Sequence, residues 1–193
     1  PYTTLFRYEM ATLEWGGALG SALGVWLTGQ RVVVGGAVVV VASALYGVVF
    51  VRAALYAGAA LQGVFIGLSL YGWVQWLRGA RAEGQVRVLR SPTARRLWGH
   101  VGGTGLAGLG LTLVLRHWTD DPTPMGDALL SAYSILAQFW GARRYRLSWV
   151  LWIVVDVFYT VLFVVRGLWV TAALYAGFVV LALRGWQKWG QVQ

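Results

Sequence analysis

The chain has no cysteine, which excludes a disulfide framework, a thiol nucleophile and a thiolate metal site. Its one lysine, Lys188, falls at the end of an apolar stretch, so there is no buried amine for a retinal Schiff base. Histidine is limited to His100 and His117, without zinc-ligand spacing. His117 lies beside Trp118, Asp120 and Asp121 and reads as a solvated loop residue. Charge is scarce, at 12% of 193 residues. The opening PYTTLFRYEM lacks the basic start, apolar core and cleavage site of a signal peptide. No cluster of residues asks for a cofactor or a metal.

What the chain has is apolar surface. With 58% hydrophobic residues and a mean hydropathy of +0.62, it exceeds an ordinary soluble domain and reads as an integral membrane protein whose partner is the lipid bilayer. The 12 Trp and 9 Tyr suit headgroup-level anchoring. The net charge of +9 sits in short blocks between apolar runs, which argues against a nucleic-acid partner.

A helical span needs about 17 to 25 residues, and seven stretches qualify: 11–29, 32–51, 53–77, 97–115, 126–141, 148–165 and 167–187. The first boundary is thin, since only Thr28, Gly29, Gln30 and Arg31 divide two spans. Basic residues on alternate sides give the orientation. Arg31, Arg78, Arg81, Arg87, Arg90, Arg95, Arg96, Arg143, Arg144, Arg146, Arg184 and Lys188 fall on one side, and Arg7, Arg52, Arg116 and Arg166 on the other. That asymmetry predicts an outside N-terminus and a cytoplasmic C-terminus in a multi-pass bacterial inner-membrane protein. Pro1, Pro92, Pro122 and Pro124 all lie outside these spans, so gating must use glycine or rigid-body rocking. Gly16, Gly20 and Gly24, and then Gly99 and Gly103, form small-residue ridges for close helix packing.

Ala-Leu-Tyr-Ala-Gly occurs at Ala54–Gly58 and at Ala173–Gly177. Gly-Trp-x-x-Trp follows each copy, at Gly72, Trp73 and Trp76 and at Gly185, Trp186 and Trp189. Tyr46 and Phe50 keep the spacing of Tyr159 and Phe163. A duplicated three-span unit is the expectation, with a first repeat over 11–77, a linker helix over 97–115 and a second repeat over 126–189 in one transmembrane domain. One intervening span makes the two repeats parallel, an arrangement that places a substrate near the midplane between them.

Asp156 is the only acidic residue deep in a span. Steps of 3, 4, 3 and 4 residues put Trp149, Trp152, Asp156, Tyr159 and Phe163 on one helical stripe. A carboxylate at that depth is costly and normally faces a bundle interior. Aromatic rings around it point to a flat, cationic organic molecule held by stacking, cation–π attraction and opposite charge. The competing account is a structural Asp capped by hydroxyls of a neighbouring helix. In the first repeat Gly36, Val39 and Ser43 stand where Trp149, Trp152 and Asp156 stand in the second, so only the second carries the specialised part. With no second buried carboxylate, paired acid–base hydrolysis is excluded, no enzyme activity is expected, and a channel would lack a ring of charge.

Ser131, Ser134 and Gln138 make a second polar stripe, and Gln62, Ser69, Trp73 and Trp76 a third. They could bind a carboxamide and a sugar, although membrane Ser commonly bonds its own helix. Trp76 and Trp189 beside Arg78 and Lys188 read by default as interfacial belt residues. Trp73 and Trp186, one turn deeper, suit a gate. The arginine-rich stretch from Arg78 to Arg96 suits anionic headgroups.

The run Trp149-Val-Leu-Trp152-Ile-Val-Val-Asp156, the segment Ala137-Gln138-Phe-Trp140-Gly-Ala-Arg143-Arg144, and Leu174-Tyr175-Ala-Gly-Phe178 ahead of Gly185-Trp186-x-x-Trp189 resemble the PnuC-type vitamin transporters. The resemblance implies an all-α integral membrane protein with seven transmembrane helices in a three-plus-one-plus-three, SWEET-like arrangement. It implies facilitated uptake of nicotinamide riboside, or of thiamine or riboflavin in sister groups. The substrate residues would then be Asp156, Trp152, Tyr159, Gln138, Gln62, Trp149, Ser134 and Tyr46, and the gate residues Trp73, Trp76, Trp186 and Trp189. The chain contains no Asn, so any contact made by Asn in relatives falls here to another residue. SWEET-type sugar permeation fits less well, because those proteins rely on prolines within their spans. A structural membrane protein and a homo-oligomer remain open at this point.

Overall fold

The computed structural model describes residues 2–52, 56–83, 87–89, 91–118, 123–165, 167 and 169–191. Among them the chain is all-α, with seven helices: α1 (Tyr2–Gly29), α2 (Val34–Arg52), α3 (Tyr56–Glu83), α4 (Ala94–Trp118), α5 (Pro124–Ala142), α6 (Leu147–Val165) and α7 (Trp169–Gly190). Each coincides with one of the expected spans. Helices α1, α3 and α4 overrun theirs because Ala, Leu, Arg and Glu at their ends favour continued helix. Pro1, Ala54, Arg90, Asp120, Asp121, Pro122 and Arg166, and the side chains of Arg7, Phe50 and Arg81, lie outside the described residues.

By length and apolarity alone one helix among the described residues qualifies as a membrane span, Leu147–Val165 with a mean hydropathy of 2.2. Glycine dilutes the others, notably Gly99, Gly102, Gly103, Gly105, Gly108 and Gly110 on α4.

Two compact units make up the chain, residues 1–87 and 88–193. In the first, α1 packs on α2 and α2 on α3. Gly24 lets α1 approach α2 at Val39, where a Cβ would come within 2.6 Å of Val39 Cγ2. Across the next seam the Trp73 side chain of α3 lies on Gly36 of α2, where a Cβ would come within 2.9 Å of it.

In the second unit α4 packs on α5, α5 on α6 and α6 on α7. Pro124 opens α5 at a position where its missing N–H costs nothing. The Tyr133 hydroxyl donates to the Val101 carbonyl at 3.1 Å and the Trp140 indole donates to His100 Nδ1 at 3.1 Å, tying α5 to α4. Because an indole N–H only donates, that bond requires an unprotonated Nδ1. Leu89 donates its N–H to the Arg144 carbonyl at 3.0 Å and forms an isolated parallel bridge with Tyr145, which docks the approach to α4 on the α5–α6 turn.

The α1–α2 and α5–α6 turns share one hydrogen-bond pattern. After α1, Arg31 N–H bonds Thr28 O and Val32 N–H bonds Leu27 O, both at 3.0 Å. After α5, Arg144 N–H bonds Gly141 O and Tyr145 N–H bonds Trp140 O, both at 2.9 Å. These are Schellman stops, whose left-handed residue is usually glycine. Here arginine fills both positions, Arg31 at φ 62° and Arg144 at φ 61°.

Candidate functional site

Helix α6 is apolar on nearly every side, so what distinguishes its faces is the stripe around Asp156. The Asp156 side chain is 4% exposed. Thr160 Oγ1 bonds the Asp156 backbone carbonyl at 2.7 Å and so does not cap the carboxylate. Among the described residues no hydrogen bond or ion pair reaches the carboxylate oxygens. A buried carboxylate is normally paired or hydrogen-bonded, so this one is suited to a cation brought from outside.

The rings on its stripe have different surroundings. Toward the C-terminal end of α6, Tyr159 stacks on Phe163 at 5.8 Å with planes 12° apart. Tyr175 of α7 closes on Tyr159 at 5.0 Å and on Phe163 at 5.1 Å, and Phe178 meets Tyr175 edge-on at 5.6 Å. The Tyr159 hydroxyl lies in hydrogen-bonding reach of Ser131 and Ser134 on α5. Ser134 spends its own hydrogen on Leu130 O at 2.8 Å, which leaves its oxygen free to accept. The α5 polar stripe therefore meets the α6 aromatic stripe at Tyr159, with Gln138 half-buried and engaged one turn further along α5.

One turn to the other side of Asp156, Trp152 is half-buried, and no ring or cation stacks on it among the described residues. Trp149, two turns away, is sealed into the α6–α7 seam. A Cβ on Gly185 would come within 2.6 Å of its ring, and Trp189 meets that ring edge-on at 5.5 Å. The Trp149 indole nitrogen is buried with no partner among the described residues.

The expected belt positions are interior: Trp76 is 5% exposed and Trp189 is fully buried. Proximity to Arg78 and Lys188 along the chain gave their height but not the direction in which they point. Trp186 is half-buried and held by an arginine. The Arg146 guanidinium carbon lies 3.7 Å from the Trp186 ring centroid, and Arg146 Nε donates to the Trp186 carbonyl at 3.0 Å. In the sequence Arg146 reads as one more orienting charge. Tyr175 also went unassigned, although the repeated Ala-Leu-Tyr-Ala-Gly marked it.

The remaining site candidates belong to the first unit. Gln62 lines an open groove of about 450 Å³ between α2 and α3 with Gly47, Gly63, Val48 and Arg52. Tyr46 lies half-buried against Gly17 of α1, where a Cβ would come within 3.0 Å of its ring. Trp73 occupies the Gly36 seam. Among the described residues no cluster of His, Cys, Asp or Glu could hold a metal ion.

A seven-helix apolar chain whose described residues include one buried carboxylate, unpaired among them and set among aromatic rings, has the makings of a polytopic solute transporter. The chain belongs to the nicotinamide mononucleotide transporter family, whose sequence model matches residues 11–191. It is 28% identical over 169 residues to the nicotinamide riboside transporter PnuC of Escherichia coli (strain K12), covering 75% of this chain and 71% of that one. It is also 28% identical over 140 residues to the riboflavin/roseoflavin transporter RibM of Streptomyces davaonensis, covering 70% of this chain and 64% of that one. A crystal structure of the vitamin B3 transporter PnuC superposes with a TM-score of 0.75 at 22% identity, covering 98% of this chain and 86% of the other, which shows the shared fold.

Proposed function

We propose that the chain carries nicotinamide riboside across the bacterial inner membrane by facilitated, alternating-access transport. The observation that carries this reading is the Asp156 carboxylate, buried without a hydrogen bond or ion pair among the described residues on a stripe of aromatic rings. Nicotinamide riboside brings a flat ring with a fixed positive charge. Asp156 faces that charge, Trp152 and Tyr159 stack on the ring, and Gln138 and Ser134 serve the carboxamide or ribose. Trp149 supports the site by wedging α6 against α7. Trp73, Trp76, Trp186 and Trp189 form the gate ends of α3 and α7. The arginine-rich ends face the cytoplasm.

The fold in this proposal is two parallel three-helix repeats, α1–α3 and α5–α7, joined by α4. The paired Schellman stops support it: Arg31 and Arg144 share a rare left-handed conformation, and their separation along the chain equals that of Tyr46 and Tyr159 and of Gly72 and Gly185.

Similarity to RibM favours riboflavin as the second reading, and the charge of the ligand separates the two. Purified protein is heated with nicotinamide riboside, thiamine, riboflavin or uncharged nucleosides. Protection by nicotinamide riboside that disappears in Asp156→Ala supports the proposal. Protection by riboflavin alone, or equal affinity for nicotinamide riboside in Asp156→Ala, overturns it.

A further inference from the structure

Arg146 has the backbone environment of Val33. In the first unit Gly36 N–H bonds Val33 O at 3.3 Å, and in the second Trp149 N–H bonds Arg146 O at 3.1 Å. The turn thus closes in the same way without an arginine at that position. What Arg146 adds is its reach to the last turns of α7. Its guanidinium lies over the Trp186 ring at 3.7 Å, its Nε donates to the Trp186 carbonyl at 3.0 Å, and its Nη atoms fill the space beside Gly190, where a Cβ would overlap them. A cation near a helix C-terminus also complements the helix dipole.

Beside this clamp runs the α6–α7 seam. Ala182, Gly185 and Trp189, at steps of 3 and 4 residues, form one buried stripe of α7, and Trp149 rests on its last two members. The end of α7 cannot leave α6 while Arg146 grips Trp186.

We propose that Arg146 is the positioning residue of the gate: its clamp on Trp186 holds the end of α7 closed against the α5–α6 turn, and its release opens the α6–α7 seam for solute to leave. This rests on the transport function proposed above and assigns that gate its latch.

The absence of cysteine supplies the assay. In Ala182→Cys protein of this sequence the introduced thiol is the only one, and its alkylation rate by N-ethylmaleimide reports how often the seam opens. Added to that background, Arg146→Val removes the clamp while keeping the side chain that the same turn carries at Val33. Gly190→Ala displaces the guanidinium without touching Arg146. Losing one stacked cation and one charge-assisted hydrogen bond should raise alkylation on the order of tenfold in both. Trp186→Phe keeps an aromatic face and the carbonyl and should label like the parent.

In proteoliposomes, Arg146→Val should alter the maximal rate of nicotinamide riboside uptake while the dissociation constant of the purified protein stays the same. Unchanged alkylation in both Arg146→Val and Gly190→Ala overturns the latch, as does a dissociation constant that changes in step with the rate. If Arg146→Val does not fold, Gly190→Ala decides. If the parent binds no vitamin, the substrate assignment fails, and the alkylation rates still decide the latch.

Discussion

Gly185→Ala tests the packing on which the arrangement of α6 and α7 depends. An added Cβ would lie 2.6, 2.6 and 2.7 Å from three atoms of the Trp149 ring. Carbon atoms settle at about 3.5–4.0 Å, so the ring must retreat by about 1 Å. Beside it, one turn along the same face of α7, the fully buried Trp189 ring meets it edge-on at 5.5 Å and restricts its sideways movement. Overpacking of this kind costs about 1–3 kcal/mol. Against it stands the gain from replacing glycine by alanine within a helix, about 1 kcal/mol.

Gly177→Ala isolates the steric part, because Gly177 is on the same helix and a Cβ there meets nothing within 4 Å. Propensity then cancels, and Gly185→Ala should be less stable than Gly177→Ala by about 1–3 kcal/mol. Thermal unfolding of the two purified variants at one scan rate measures the difference, the common rate being needed where unfolding is irreversible. Adding Trp149→Phe to Gly185→Ala should recover part of the loss, since a smaller ring makes room; adding it to Gly177→Ala should not. Equal melting temperatures for the two glycine variants would refute the close Trp149–Gly185 contact, and with it the account of the seam.

Three further outcomes are expected. Asp156→Asn should weaken nicotinamide riboside binding by about 2 kcal/mol or more, the scale of breaking a buried charge pair. It should not lower the melting point of the empty protein, because the carboxylate has no hydrogen bond or ion pair to lose among the described residues; calorimetric titration and unfolding read the two separately. Arg31→Gly and Arg144→Gly should each stabilise the protein by about 1 kcal/mol, since φ of 62° and 61° is strained for arginine and open to glycine; loss of stability in both would contradict the left-handed stops. Trp140→Phe should cost about 1 kcal/mol by removing the 3.1 Å bond to His100 Nδ1, and in a His100→Phe background, where the acceptor is gone, the same change should cost less.

The seven helices were legible because their signals were redundant: each falls on a stretch rich in apolar and small residues, and polar, charged or proline-bearing segments divide them. Asp156 was legible too, since one carboxylate inside a helix as apolar as α6 has no ordinary explanation. Direction was harder to read than position. Trp76 and Trp189 stand beside basic residues at span ends, but α3 continues to Glu83 and the α7 stripe turns Trp189 inward under Trp149. Side chains that act across a seam were not legible. Arg146 in the α5–α6 turn is indistinguishable by sequence from a charge that only orients the chain, and its grip on Trp186 needs the geometry of α7.

On the proposed repeat arrangement the two halves differ most where their seams are filled, and that difference accounts for the clamp. In the first unit the α2–α3 seam is closed from the α3 side, with Trp73 packed on Gly36. In the second the partners are exchanged: tryptophan now stands on α6 as Trp149, and the hole is Gly185 of α7. Trp186, at the position Trp73 takes in the proposed first repeat, finds no glycine across from it, although both rings are half-buried. Arg146 covers that ring, where the first unit has only Val33. One exchange of knob and hole thus leaves the Trp186 face to Arg146 and places Trp149 two turns from Asp156 on the same stripe. A reverting pair tests this order of events: Trp149→Gly with Gly185 retained should let Trp186 fall into the vacated seam and remove the effect of Arg146→Val on alkylation at Ala182→Cys. If Arg146→Val still raises alkylation in that background, the clamp did not arise from the exchange.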